Sequence, residues 1–367
     1  MNSSVKKFLK YALNIIFIIG ITALALYLIF KGKDPREILR MVWEADLKWI
    51  GIAVFFMILL VCGEAAQFHM LLKGMKQKVS RFKCFLISNI GFFFSQITPG
   101  ASGGQPLQVV YLTKLGVNGF ISTLICMIIT MVYKLVLILM FFVALIMRPA
   151  LVGGAIGDVI IVFLIGMLIT AGFGFFLLFC ILKPSMSPKM AGGFLKLGAK
   201  LHLVKDLEAS RKKMEQSAKQ HEVASEFIKK NPGIVLKVAG FAFIERFSCF
   251  MVAFCVAKSL GVECNLIDVI SMQIILSLAV DMLPIPGASG ANEILFKRLQ
   301  VGIFGDAVEA GILLNRGITY YLLALTSGVF TLIAHIWFKK PSVRNANPLS
   351  AEESGQTELS ENTDRKE

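Results

Sequence analysis

Five ionisable residues stand in stretches that are otherwise apolar: Glu64, Lys134, Glu245, Asp281 and Arg316. Two copies of the pentapeptide PGASG fall among them, at Pro99–Gly103 and Pro286–Gly290, 187 positions apart. Glu64 precedes Pro99 by 35 positions and Glu245 precedes Pro286 by 41, while Lys134 follows Pro99 by 35 and Arg316 follows Pro286 by 30. Each half of the chain thus runs acid, break, base. A charge inside hydrocarbon is costly, so such residues face a bundle interior and pair. The alternatives are structural: Glu245 and Arg246 are neighbours that could staple helices, and Arg316 could sit at the membrane interface. The chemistry open to this set is binding and charge compensation. We find no GxSxG, no HExxH, no paired aspartates in spans and no GxxxxGK[ST], so we expect no hydrolase, no ATP-driven step, no metal and no cofactor.

The repeated pentapeptide has a physical meaning. Proline lacks an amide hydrogen and clashes with the preceding turn, and glycine reaches backbone angles closed to other residues. At membrane depth such a break is tolerated only where it is buried in protein or lines a watery cavity. Glycine- and proline-interrupted segments at corresponding places in two halves point to a transporter's central site. Ordinary interfacial loops are the competing reading. In the first reading the candidate binding residues are Pro99, Gly100, Gly103, Gly104, Gln105, Pro286, Gly287, Gly290 and Glu293, joined by the five ionisable residues above. The amides at the following helix start are expected to favour an anion such as a lipid phosphate. Asp281, Ser277 and Gln273 share a helical face that suits a hydrated groove or a helix contact, and Ser88, Ser95 and Gln96 form a looser version in the first half. His69 and Tyr133 read as packing or interfacial residues.

The elements that must position these residues follow from composition. Of 367 residues, 56% are hydrophobic and 17% charged, and mean hydropathy is +0.72, outside the range of soluble domains. The class expected is an all-α polytopic membrane protein. Stretches long enough to cross a bilayer are Tyr11–Phe30, Trp49–Leu72, Gly119–Met147, Gly153–Leu182, Ile234–Leu260 and about Gly317–Phe338. Tyr11–Phe30 is too long for a signal-peptide core and reads as a retained span. Phe85–Ile97 and Leu266–Leu283 each run into a PGASG motif. Lys and Arg mark cytoplasmic loops: Lys73–Lys83 holds five basic residues and no acidic one, and Lys183–Gly233 holds eleven. Both termini are therefore placed in the cytoplasm of a multi-pass cell-membrane protein, with six full spans. The count closes if neither motif region makes a net crossing, so two re-entrant segments in an inverted repeat are expected. The mixed charge of Lys31–Lys48 fits this orientation poorly. A transmembrane domain over 1–340 is expected, with halves near 1–182 and 234–340 joined by a basic cytoplasmic segment, 183–233. That segment reads as an amphipathic helix drawn to anionic headgroups or as a solvated face, and 341–367 reads as a disordered polar tail. Seven cysteines without CxxC spacing argue against disulfides and zinc.

The stretches SQITPGASGGQPLQVVYL from Ser95 and LPIPGASGANE from Leu283 resemble the lysylphosphatidylglycerol synthase transmembrane-region family, also called the flippase-like domain family. The resemblance covers about Tyr11 to Lys340. It implies a membrane domain that moves aminoacylated or glycosylated lipids between leaflets, with Pro99, Gly100, Gly103, Gly104, Pro286, Gly287, Gly290 and Glu293 matching its motifs. Where the first motif of the family often carries a carboxylate, this chain has Gln105. Larger members add a soluble domain that transfers lysine from tRNA to phosphatidylglycerol, so a phosphatidylglycerol lysyltransferase is the alternative function. Only 30 residues follow Trp337, and we expect no such activity from this chain alone. The partners expected are membrane lipids, anionic or aminoacylated, with no nucleic acid; a separate synthase chain and a homo-oligomer stay open.

Overall fold

A computed structural model describes residues 34–182, 225–281, 283 and 285–338. The expected span Tyr11–Phe30, most of the basic segment 183–233 and the tail 341–367 lie outside the described residues. Among those described, the chain is α-helical without strands, and five helical stretches are long and apolar enough to cross a membrane. The protein is an all-α polytopic membrane protein.

The helices are α1 (Pro35–Trp43), α2 (Leu47–Gly74), α3 (Arg81–Ile97), α4 (Gly104–Lys114), α5 (Gly119–Met147), α6 (Pro149–Leu182), α7 (Pro232–Ser259), α8 (Leu266–Val280), α9 (Ala291–Phe304), α10 (Val308–Arg316) and α11 (Leu323–Trp337). Their starts are written locally. Asp46, Ser80, Asn118 and Asn265 each stand just before an apolar run and accept a backbone N–H of the first turn, at 2.8–3.4 Å. In the loop that fitted the charge rule poorly, Asp34 caps α1 and Arg40 pairs with Glu44 at 2.7 Å, so part of its mixed charge is spent locally.

Two halves repeat one plan: a 28-residue span, a shorter helix, a PGASG motif, a short returning helix, and a long final helix. The two 28-residue spans, α2 and α7, pack antiparallel. Asp46 N–H donates to Ser259 O at one end, Gly63 meets Glu245 midway, and Gly74 meets Ile234 and Phe227 at the other. The repeat is therefore inverted. Since α3 starts where α2 ends and α8 starts where α7 ends, the two broken hairpins enter from opposite ends of the bundle. Small residues let the first hairpin close. Gly104 lies on Gly91 O and Ser95, leaving no room for a side chain, and Gly91 lies under Gln108. The halves also interlock, with α3 packed on α11 and α8 on α5 and α6.

One expected boundary differs. The last span does not begin as a separate element at Gly317: Ala291–Trp337 is one helical stretch of 47 residues. It folds back at Gly305, whose φ of 54° only glycine adopts readily, with a 3-10 turn at Gly305–Ala307. A π-turn at Gly317–Leu322 then interrupts it below Arg316. The pattern of apolar residues continues through both irregularities, so hydropathy alone could not separate them.

Candidate functional site

The hairpins meet tip to tip, where Pro99 pairs with Pro286 in an isolated antiparallel bridge. The two tips fold alike. Ala101 N–H donates to Thr98 O at 3.2 Å and Ser102 N–H to Pro99 O at 3.3 Å; Ala288 N–H donates to Ile285 O at 3.0 Å and Ser289 N–H to Pro286 O at 3.1 Å. In both, glycine and the following alanine are left-handed: Gly100 at φ 59° and Ala101 at 54°, Gly287 at 55° and Ala288 at 50°. Proline sets the first corner of the turn and glycine the second, so the pentapeptide encodes this geometry directly.

The amides within the tips are used internally: those of Ala101, Ser102, Ala288 and Ser289 close the turns, Gly103 N–H donates to Thr98 Oγ1 at 2.9 Å, and Gly290 N–H to Glu293 Oε2 at 2.5 Å. The donors left for a headgroup at the first tip are those of the opening turn of α4. That tip is also the accessible one, with Ala101, Ser102 and Gln105 exposed, whereas Ser289 is buried. Gln105 donates a short hydrogen bond to Thr130 Oγ1.

The ionisable residues converge around the tips in three ion pairs. Glu293 and Arg316, both buried, pair at 2.8 Å; Arg316 also donates to Ser289 Oγ at 2.9 Å and stacks on Tyr320, whose hydroxyl donates to Gln96 O at 3.3 Å in the other half. Arg316 is thus no interfacial residue. Buried Lys134 forms a short ion pair with Asp281, which also accepts from Tyr133 Oη at 2.5 Å and Thr170 Oγ1 at 3.3 Å. Glu245 pairs with its neighbour Arg246 at 2.5 Å and accepts from Gln67 Nε2 at 2.6 Å. Arg246 lies over the Tyr133 ring, 4.6 Å from its centroid, which joins the last two pairs into one network. Tyr133, read from sequence as a packing or interfacial residue, belongs to this network. A phenol one residue before an intramembrane lysine needs a partner when buried, and that was the available signal. Gln67 and Gln108 were missed as well; each lies three residues from a marked position, Glu64 and Gln105, on the same helix face.

Glu64 stands apart. Its partners are neutral: Ser88 Oγ at 2.5 Å and Gln108 Nε2 at 3.1 Å. Of the sequence stripe on α8, Gln273 is buried and its Nε2 has no hydrogen-bond partner among the described residues. Two lateral cavities flank the centre. One of about 600 Å³ lies between α2, α3 and α7, with His69 and Arg81 among its apolar lining; one of about 240 Å³ lies between α5, α7 and α8 and is lined by apolar residues and Ser271. Among the described residues no group of His, Cys, Asp and Glu could hold a metal.

Antiparallel repeats, broken hairpins touching at their tips and buried ion pairs around them define an inverted-repeat, all-α membrane protein. The chain belongs to the family described as lysylphosphatidylglycerol synthase TM region, which it matches over residues 14–327. It is also similar to a UPF0104 membrane protein of Pyrococcus horikoshii, 29% identical over 109 residues, which cover 29% of this chain and 32% of that protein. The match spans about a third of that relative's length.

Proposed function

We propose that this protein moves a phospholipid with a charged headgroup, aminoacylated or glycosylated, between the leaflets of a cell membrane. The observation that carries the reading is the tip-to-tip contact of two inverted hairpins with irregular backbone, ringed by charges from both halves. Irregular backbone and buried charge are costly in hydrocarbon and are found where a polar path crosses it. The lateral cavities suit acyl chains, which stay in lipid while the headgroup passes the centre. In this reading the exposed first tip faces the headgroup, the closed second tip is held by Glu293 and Arg316, and both termini are cytoplasmic. Family membership supports a membrane region related to lipid chemistry; no observation favours the lysyltransferase alternative.

The test is leaflet-resolved translocation in reconstituted vesicles. Fluorescent phosphatidylglycerol, lysylphosphatidylglycerol and a glycosylated lipid are placed in one leaflet and read with an impermeant quencher. The expected result is faster redistribution of at least one lipid than in protein-free vesicles. Folded protein that accelerates none of the three would overturn the proposal.

A further inference from the structure

Glu64 is set apart by its hydrogen bonds and by its lack of a cation. Among the described residues, every other carboxylate away from the exposed surface has an ion pair: Glu245 with Arg246, Asp268 with Arg148, Asp281 with Lys134, Glu293 with Arg316 and Glu309 with Lys297. The groups around Glu64 come from four helices. α3 supplies Ser88 and α4 supplies Gln108, both neutral; α5 supplies Cys126; α7 supplies Glu245 and Arg246, which neutralise each other. An ionised Glu64 would leave one negative charge uncompensated at the waist of the bundle, beside a second carboxylate.

Counting protons on the hydroxyl sharpens the point. Ser88 Oγ lies 2.5 Å from Glu64 Oε2 and 3.1 Å from Val61 O. A serine hydroxyl has one proton to donate and two lone pairs to accept with. Val61 O can only accept. If Glu64 were ionised, the one Ser88 proton would go to the carboxylate, and the contact with Val61 O, a carbonyl already engaged within α2, would have no hydrogen between its two oxygens. If Glu64 is a carboxylic acid, its O–H donates to Ser88 Oγ, the Ser88 O–H donates to Val61 O, and the remaining Glu64 oxygen accepts from Gln108 Nε2 at 3.1 Å. Gln108 uses its second N–H on Ile87 O at 3.4 Å. Every contact is then satisfied.

We infer that Glu64 is a proton-binding site, occupied in this conformation, and that lipid movement is coupled to its protonation. The inference deepens the transport reading and rests on it for the coupling. Release requires that α3 or α4 move so that water replaces Ser88 and Gln108 around the carboxylate; the proton then passes to that water, and Glu64 is left ionised until it is protonated again. One carboxylate that charges and discharges as the hairpin moves links a proton gradient to the direction of transport.

Infrared spectroscopy of the full chain in lipid nanodiscs tests occupancy without any transport. The wild type should show a protonated-carboxyl stretch at neutral pH. Glu64→Gln, whose amide reproduces the same donor and acceptor pattern and so should fold, should abolish it. Gln108→Leu should move it to higher wavenumber, because the carbonyl loses its donor. No such band, or a band that Glu64→Gln leaves intact, overturns the site. In vesicles carrying labelled phosphatidylglycerol or lysylphosphatidylglycerol, an imposed pH gradient should change the wild-type rate several-fold and leave Glu64→Gln unaffected; a retained response overturns the coupling. A wild type that moves no lipid removes the transport reading, and the infrared result still decides the site.

Discussion

Replacing Gly287 with alanine probes the second tip through two separable costs. The first is backbone: at φ 55° a side chain meets the following carbonyl, a penalty of about 1–2 kcal/mol. The second is the Tyr320 ring, whose Cζ lies 2.8 Å from where the new methyl would stand, closer than real contacts allow. Tyr320 cannot simply swing away, because its hydroxyl is bonded to Gln96 O and its face is covered by Arg316 at 4.2 Å. Displacing it forfeits a hydrogen bond of about 1 kcal/mol and a desolvated cation–π contact of about 1 kcal/mol. The total is about 3–4 kcal/mol. Gly290→Ala is the contact-free comparison: no atom lies within 4 Å of the added methyl, so only backbone strain applies, about 1–3 kcal/mol at φ 86° and ψ −57°. Denaturant titration of the purified protein in mixed micelles reads both variants, and a cycle with Tyr320→Ala isolates the contact, since removing the ring should cut the Gly287→Ala cost to its backbone part. A Gly287→Ala cost that Tyr320→Ala leaves unchanged would refute the reasoning.

Glu293→Gln should lower stability by about 3 kcal/mol, because it strands the buried Arg316 guanidinium; adding Arg316→Gln should recover part of that loss in the same titration. Ala101→Gly and Ala288→Gly should each raise stability by about 1 kcal/mol, since both alanines are left-handed; no gain in either would mean that the tips are not built this way. In a background without native cysteines, Ser102→Cys should react with a small impermeant maleimide well before Ser289→Cys, which takes a buried position under Arg316. Equal labelling rates would contradict the asymmetry of the tips.

Much of the fold was legible because its signals are local. Four of the long spans appear where apolar runs of sufficient length begin after Asp46, Asn118 or Pro149, or end before Gly261. The PGASG repeat marked both tips, since proline and glycine write the turn at the residue level. The partners of the charges were less legible. Lys134 and Asp281 are 147 positions apart and in different halves, so no spacing rule joins them. The acid–break–base order named Glu64, Lys134, Glu245 and Arg316, yet none of these four pairs with another: Lys134 meets Asp281 of the other half, Arg316 meets Glu293 and Glu245 meets Arg246, because an inverted repeat packs each hairpin against the other half. Ser88 and Gln108 acquire meaning only when α3 and α4 fold back on α2, a tertiary event no periodicity encodes.

The bridge between the tips has a mechanical consequence. Proline has no hydrogen to give, so at Pro99 and Pro286 the seam must rely on the residues to either side. It is one residue wide, whereas the α2–α7 contact runs the length of two 28-residue helices. Stiffness in this bundle is unevenly spread: a rigid spine on one side, a weak stitch at the centre. Any strain that tilts one half against the other, while the spine holds, concentrates at the stitch. Opening there breaks little main-chain bonding, at about 1 kcal/mol per hydrogen bond, while the Tyr320 hydroxyl on Gln96 O and the Lys134–Asp281 ion pair still tie one half to the other.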